Sequence, residues 1–234
     1  MAQNEWGGRP IHFQSDLSHT GYLWPSEVGT EVIRRLSKLL EAVDPALAGH
    51  SRRTAHIAIN IAEEMRIEED QYGLLSAAAL LHDVGKLFVS REILDKPGPL
   101  NADEWMELEH HPRIGYEMVR DRVDPAVASI VLSHHERIDG AGYPRGLDDT
   151  AIPPLARILQ VADAFDAITS HRCYQPAMPI AYALSELDRN AGTQFDPEPV
   201  AAITALASQP SWNRLGYAAG DLSVVIDLPA TAAV

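Results

Sequence analysis

The sequence holds a single cysteine, Cys173, in 234 residues. An internal disulfide is therefore excluded, and a lone thiol fits a reducing cytoplasm, the expected location. Long apolar runs are missing too. No stretch approaches the roughly 18 residues of a membrane span, and no charged-then-apolar leader is present, so neither a membrane partner nor a secretory route is expected. Positive charge is scarce, with 19 Lys and Arg against 33 Asp and Glu and a formal net charge of −14. Such a field repels polymeric nucleic acid. A small anion can still bind where metal ions and a few cationic side chains invert the local sign. Internal repeats, low-complexity tracts and a clear linker are also lacking.

What remains is a soluble globular composition, 46% hydrophobic and 22% charged, long enough for one large domain. Residues 1–29 read as an irregular N-terminal segment, 30–208 as an all-α domain, and 209–234 as a tail. RPIHFQ near the N-terminus and LSVVIDL near the C-terminus are strand-like and could form one short pairing of the termini. His12 and His19 fall in the irregular segment and read as ordinary surface histidines.

Within the domain, TEVIRRLSKLLEAV places Val32, Ile33, Leu36, Leu39, Leu40 and Val43 on one helical face, for core packing or a dimer seam. A second helix follows Asp44-Pro45 and carries His50. A third, apolar helix runs into His82-Asp83 and Lys86, with Gly85 placed to stop it. Charged groups at a buried helix end demand partners. LFVSREILDKPGPL reads as a loop or short extended crossover. Asn101 with Glu104 forms a capping-box start. Pro112 holds His111 at a helix junction, whereas His110 faces solvent. Asp124-Pro125 opens the helix that ends in His134-His135, followed by the glycine-rich loop ERIDGAGYPRGL. After Pro153-Pro154, Asp163 and Asp166 share one face of an apolar helix, which is costly unless cations neutralise them. Two further helical stretches, MPIAYALSELDRN and the one in GTQFDPEPVAAITALAS, complete the domain.

The buried or junction-held candidates are thus His50, His82, Asp83, His111, His134, His135 and Asp163, spread over separate helices as in bundle-built sites. Imidazole mixed with carboxylate and no thiolate points to first-row transition metals, Fe or Mn foremost and Ni or Zn next, rather than calcium or magnesium. Seven side chains exceed one ion's needs. Two ions are expected, with Asp83 bridging. Such a pair lowers the pKa of a shared water, giving a bridging hydroxide that attacks a metal-polarised phosphorus. Lys86, one turn on, would neutralise charge as the phosphorus becomes five-coordinate. Asp83 and Lys86 are the expected catalytic residues.

LLHDVGK, EHHPRIGYE, HHERIDGAGYPRGL, ARILQVADAFDAITSHRCY and GTQFDPEPV, in that order, resemble the HD-GYP family, a branch of the HD-domain metal-dependent phosphohydrolases. The likeness covers about residues 30–205. It implies an all-α fold, two or three metal ions, and hydrolysis of cyclic di-GMP to linear pGpG and often onward to GMP. It assigns metal binding to the seven ligands above, and places Lys86, Gly142, Tyr143, Pro144, Asp166 and Arg172 around the nucleotide. Arg145 joins these by its position in the loop. Three positions depart from the pattern. Ala46 stands where some members have a Glu that helps hold a third metal, which keeps the expectation at two. Cys173 replaces a frequent Pro, and Gln175 a common basic residue, whose loss weakens the grip on one phosphate or guanine. Two readings stand beside cyclic di-GMP hydrolysis: another cyclic dinucleotide or nucleoside phosphate as substrate, and a nucleotide-sensing or protein-interaction module with little turnover. A homodimer or a signalling-protein partner remains open.

Overall fold

In the computed structural model, residues 27–171, 176–209 and Trp212 are described. The strand-like RPIHFQ and LSVVIDL, together with His12, His19, Arg172, Cys173 and Gln175, lie outside the described residues. Those described form an all-α fold of ten α-helices without a β-strand, and only isolated bridges such as Asp139 with Asp148 interrupt the helical pattern.

Helix starts follow local chemistry. An Asp-Pro pair opens three helices: α2 (Pro45–Glu64), α7 (Pro125–Ser133) and α10 (Pro197–Ala207). In each, the aspartate accepts a first-turn backbone N–H and the proline occupies a position whose N–H would be unsatisfied anyway. Helix α5 (Ala102–Glu109) begins with the expected capping box, Asn101 and Glu104 each bonding the other's backbone N–H. The crossover 87–100 is more ordered than its sequence suggests. A 3-10 helix (Val84–Phe88) runs on from His82-Asp83, and Ser90 caps a short α4 (Arg91–Leu94). Serine at this cap is a local signal that the surrounding prolines and glycine mask.

Helix α2 is the centre of the bundle, packed against α3 (Tyr72–Leu81), α8 (Pro154–Thr169), α1 (Glu27–Val43) and α10. Its Ile57 and Ile61 meet a core that includes Leu75, Leu81, Ile158, Leu159 and Phe165, all essentially without exposure. Trp212 is buried edge-on to Phe165. On α1, Ile33 and Leu40 enter the core, but Leu39 and Val43 are 47% and 50% exposed, so among the described residues the apolar face is only partly used.

The first turn of α6 (His111–Val119) crosses the turn after α3 so closely that a Cβ on Gly85 would lie 2.0 Å from the His111 carbonyl oxygen. The glycine thus does more than stop a helix. It lets two ligand-bearing segments touch.

Candidate metal centre

The buried α3 places His82 and Asp83 just past its last turn, in the middle of the protein. Four other segments surround them. Helix α2 contributes His50, α6 begins with His111, α7 ends in His134 and His135, and α8 supplies Asp163. His50, His82, Asp83, His111 and His134 are buried, while His135 and Asp163 are partly exposed.

Asp83 divides the site. Its Oδ1 lies 3.3 Å from His111 Nε2 and 4.0 Å from His134 Nε2. Its Oδ2 lies 3.3 Å from His82 Nε2 and 3.9 Å from His50 Nε2. The side chains accordingly form two potential ligand groups that share this carboxylate: Asp83, His111, His134 and His135 on one side, and His50, His82 and Asp83 on the other. Asp163 joins the second group, its Oδ1 2.9 Å from His50 Nε2 and 3.8 Å from His82 Nε2. All seven residues expected from the sequence therefore come together.

The outer contacts settle which ring nitrogens face inward. Nδ1 of His82, His111 and His134 each sits 2.7 Å from a backbone carbonyl, of Ala79, Leu108 and Val131 respectively. A carbonyl can only accept, so in each ring Nδ1 carries a proton and Nε2 is the nitrogen turned inward. Burial is the largest influence on His111 and His134 and lowers both pKa values, His134 well below the ordinary range. These rings are neutral at pH 7, and the 3.3 Å approach of His111 Nε2 to His134 Nε2 brings two lone pairs together instead of forming a hydrogen bond. His135 is pushed down to about 3 by burial and then by His111. Buried Nε2 of His82 and Oδ1 of Asp83 have no hydrogen-bond partner. Converging lone pairs and an orphaned carboxylate oxygen fit divalent cations, and little else would make them tolerable inside a protein. The cluster can hold metal.

His50 is positioned differently. Its Nδ1 meets Asp166 Oδ2 at 2.7 Å. Asp166 also accepts from Arg53 through both oxygens, at 2.7 and 2.9 Å, and from the Ser170 hydroxyl. Burial opposes a proton on His50, but Asp163 and Asp166 outweigh it and raise its pKa to about 9. Asp166, expected beside the nucleotide, thus has both oxygens engaged in orienting a ligand. Arg53 escaped the sequence reading, although it stands one turn after His50 on the same helix.

Lys86 Nζ is 2.7 Å from Asp83 Oδ2. It also lines a cavity of about 600 Å³ with Ala46, His50, Arg53, Ser170 and His171. On the opposite side, Tyr143 covers the ligand group of α6 and α7. Its ring lies 4.8 Å from His135, with planes inclined by 30°, and 6.4 Å from His111. The Tyr143–Pro144 bond is cis. Burial, then Asp83 and Asp163, raise the Tyr143 pKa, so its hydroxyl stays protonated. Gly142 packs against backbone, where a Cβ would lie 2.3 Å from Arg137 N.

Glu136, the residue after the histidine pair, is the base of this loop. Its side chain is buried and accepts the backbone N–H groups of Arg145 and Leu147, both at 2.8 Å. Arg145 bonds Ser133 Oγ at 2.7 Å and approaches Glu136, so the structure places its guanidinium at the loop's foot. Glu136 was legible only as an acid beside a ligand pair.

Comparison with known proteins agrees with this geometry. The family profile described as "HD domain" matches residues 34–198. The cyclic di-GMP phosphodiesterase response regulator RpfG of Xanthomonas campestris pv. campestris is 41% identical over 176 residues, covering 74% of this chain and 47% of that protein. The 3'3'-cGAMP-specific phosphodiesterase 3 of Vibrio cholerae is 40% identical over 174 residues, covering 74% of this chain and 38% of that protein. The chain thus spans about half the length, or less, of these relatives. Among solved structures, Bd1817, an HDG"Y"P protein of Bdellovibrio bacteriovorus, shares the fold with a TM-score of 0.61 at 21% identity, over 77% of this chain and 61% of that one. The cyclic GMP-AMP phosphodiesterase V-cGAP3 of V. cholerae does so with a TM-score of 0.64 at 23% identity, over 87% and 54%. The chain belongs to the HD-domain family.

Proposed function

We propose that this chain is a metal-dependent phosphodiesterase that hydrolyses cyclic di-GMP to pGpG. The observation that carries the reading is the partition of Asp83, with one oxygen facing His111 and His134 and the other facing His50 and His82. A carboxylate so placed suits two ions better than one. His111, His134 and His135 would hold the first, His50, His82 and Asp163 the second, and Fe or Mn suits this nitrogen-rich donor set. When bound, the ions supply Lewis-acid activation of water and of phosphoryl oxygens.

The chain's own groups do the rest. His111 and His134, neutral and anchored by backbone carbonyls, need lose no proton to become ligands. Lys86, 2.7 Å from Asp83, is close enough to turn its ammonium toward a phosphate in the adjoining cavity. Tyr143 and Pro144 wall the other side, and the protonated Tyr143 hydroxyl can donate to a phosphate or ribose oxygen. Names of relatives support the substrate class, as several are cyclic di-GMP phosphodiesterases.

A second reading keeps the reaction and changes the substrate to 3'3'-cGAMP. Its support is that the relative named for that nucleotide is 40% identical, against 41% for the one named for cyclic di-GMP. Anaerobic protein loaded with Fe, Mn, Ni or Zn and offered each nucleotide separates the two. Cleavage of cyclic di-GMP with the higher kcat/KM is expected. Preference for 3'3'-cGAMP would move the assignment to the second reading, and no turnover of either with any metal would refute both.

A further inference from the structure

Outside the ligand set, one side chain near the site has no evident duty. Trp105, on α5, is 46% exposed although it is the largest side chain there. Its indole N–H donates to Glu109 Oε1 at 2.6 Å, one turn along the same helix. That bond satisfies the ring's polar edge and fixes its orientation. The ring centroid lies 6.5 Å from that of Tyr143, with the planes at 77°. Tyr143 in turn covers His135. An aromatic row therefore leads from a ligand imidazole, through the loop tyrosine, to an indole open to solvent.

Packing alone does not require this arrangement. No residue of α5 is buried, so Trp105 adds little to the core. What it does offer, beside the ligand group of His111 and His135, is a pre-oriented π-face. A nucleobase one sugar away from a phosphate at the metal centre is a planar partner of the right kind, since every base presents a π-face to an aromatic side chain.

We infer that Trp105 is a base-binding residue of this site, the face against which one purine of a cyclic dinucleotide stacks beside Tyr143. The inference rests on the phosphodiesterase reading. Losing one stacking partner should raise KM for cyclic di-GMP about tenfold. kcat should change little, because the ring touches neither the ligands nor the reacting phosphate.

The test compares wild type, Trp105→Ala and Trp105→Phe, all Mn-loaded under anaerobic conditions, by steady-state turnover of cyclic di-GMP. Stopped-flow indole emission is recorded before turnover. Trp105→Ala should raise KM with little change in kcat, and Trp105→Phe should recover most of the loss. Wild type should show rapid quenching on mixing that Trp105→Phe lacks, a signal that a merely structural tryptophan would not give. An unchanged KM in Trp105→Ala, or quenching that persists in Trp105→Phe, overturns the inference while leaving the phosphodiesterase reading intact. If Trp105→Ala does not fold, the Trp105→Phe quenching decides. A wild type that cleaves no cyclic dinucleotide removes the phosphodiesterase reading, and this inference with it.

Discussion

Replacing Glu136 by Gln tests whether the loop is held separately from the metal ligands. The carboxylate accepts two backbone N–H groups, of Arg145 and Leu147, each at 2.8 Å. A hydrogen bond to a charged group contributes about 1.5–3 kcal/mol. Glutamine keeps the length and one acceptor oxygen, but turns an NH2 group toward the second N–H. One bond is lost and two donors are opposed, so a net cost of about 2 kcal/mol is expected. For a chain of this size about 1 kcal/mol moves the melting temperature by roughly 2–4 °C, so the shift should be about 4–8 °C downward. Metal content should stay near that of the wild type, because His134 is anchored to Val131 and not to the loop. KM for the nucleotide should rise as the Tyr143–Pro144 wall loosens. Thermal unfolding, metal analysis and steady-state kinetics on one preparation read all three. Wild-type melting and KM would refute the assignment of Glu136 as the loop's anchor, and loss of metal would refute the separation.

Three other perturbations follow from the geometry. Gly85→Ala puts a methyl group 2.0 Å from the His111 carbonyl oxygen, so α6 must move. It should destabilise the protein by about 1–3 kcal/mol or more and lower metal occupancy, read by unfolding and elemental analysis. Arg53→Ala removes two bonds to Asp166 and loosens His50, and should weaken metal binding about tenfold in a competition titration with a chelator. In the metal-free protein, His111, His134 and His135 have lowered pKa values, so the unfolded chain takes up protons first as pH falls below about 6.5. Their contribution is complete above that pH and is lost below it. His50, raised to about 9, acts oppositely, and its contribution fades as pH rises toward that value. The melting temperature in chelator should therefore fall on going from pH 6.5 to 5, and bound metal should steepen the fall, because a filled site keeps these imidazoles unprotonated in the folded chain.

Much of this site was legible because its residue types are expensive where they stand. His82-Asp83 ends an apolar helix, Pro112 fixes a junction at His111, and Asp163 interrupts an apolar face. All three lie in the cluster. The sequence was less informative about partners across space. Asp166 shares a helical face with Asp163 and is expected beside the nucleotide, but that spacing does not reveal its pairing with His50 and Arg53. Arg145 sits in a loop that suggested anion binding, yet its foothold on Ser133 and Glu136 depends on how the loop folds back. Gly85 is expected only to stop a helix and Gly142 to line the nucleotide; both are also sites of close backbone approach that no local pattern reveals. Helix limits were clear wherever an Asp-Pro or Asn-x-x-Glu cap marked them, and least clear around α4, where the cap is a single serine.

We propose that Asp83 is shared between two ions that act together on a phosphodiester. The most direct test is a titration of metal-free protein with Mn under anaerobic conditions, with bound metal and cyclic di-GMP hydrolysis measured at each addition. Activity should remain low through the first equivalent and rise to a plateau at about two per chain, with pGpG as the first product. Full activity at one equivalent, or two bound ions with the nucleotide left intact, would contradict it.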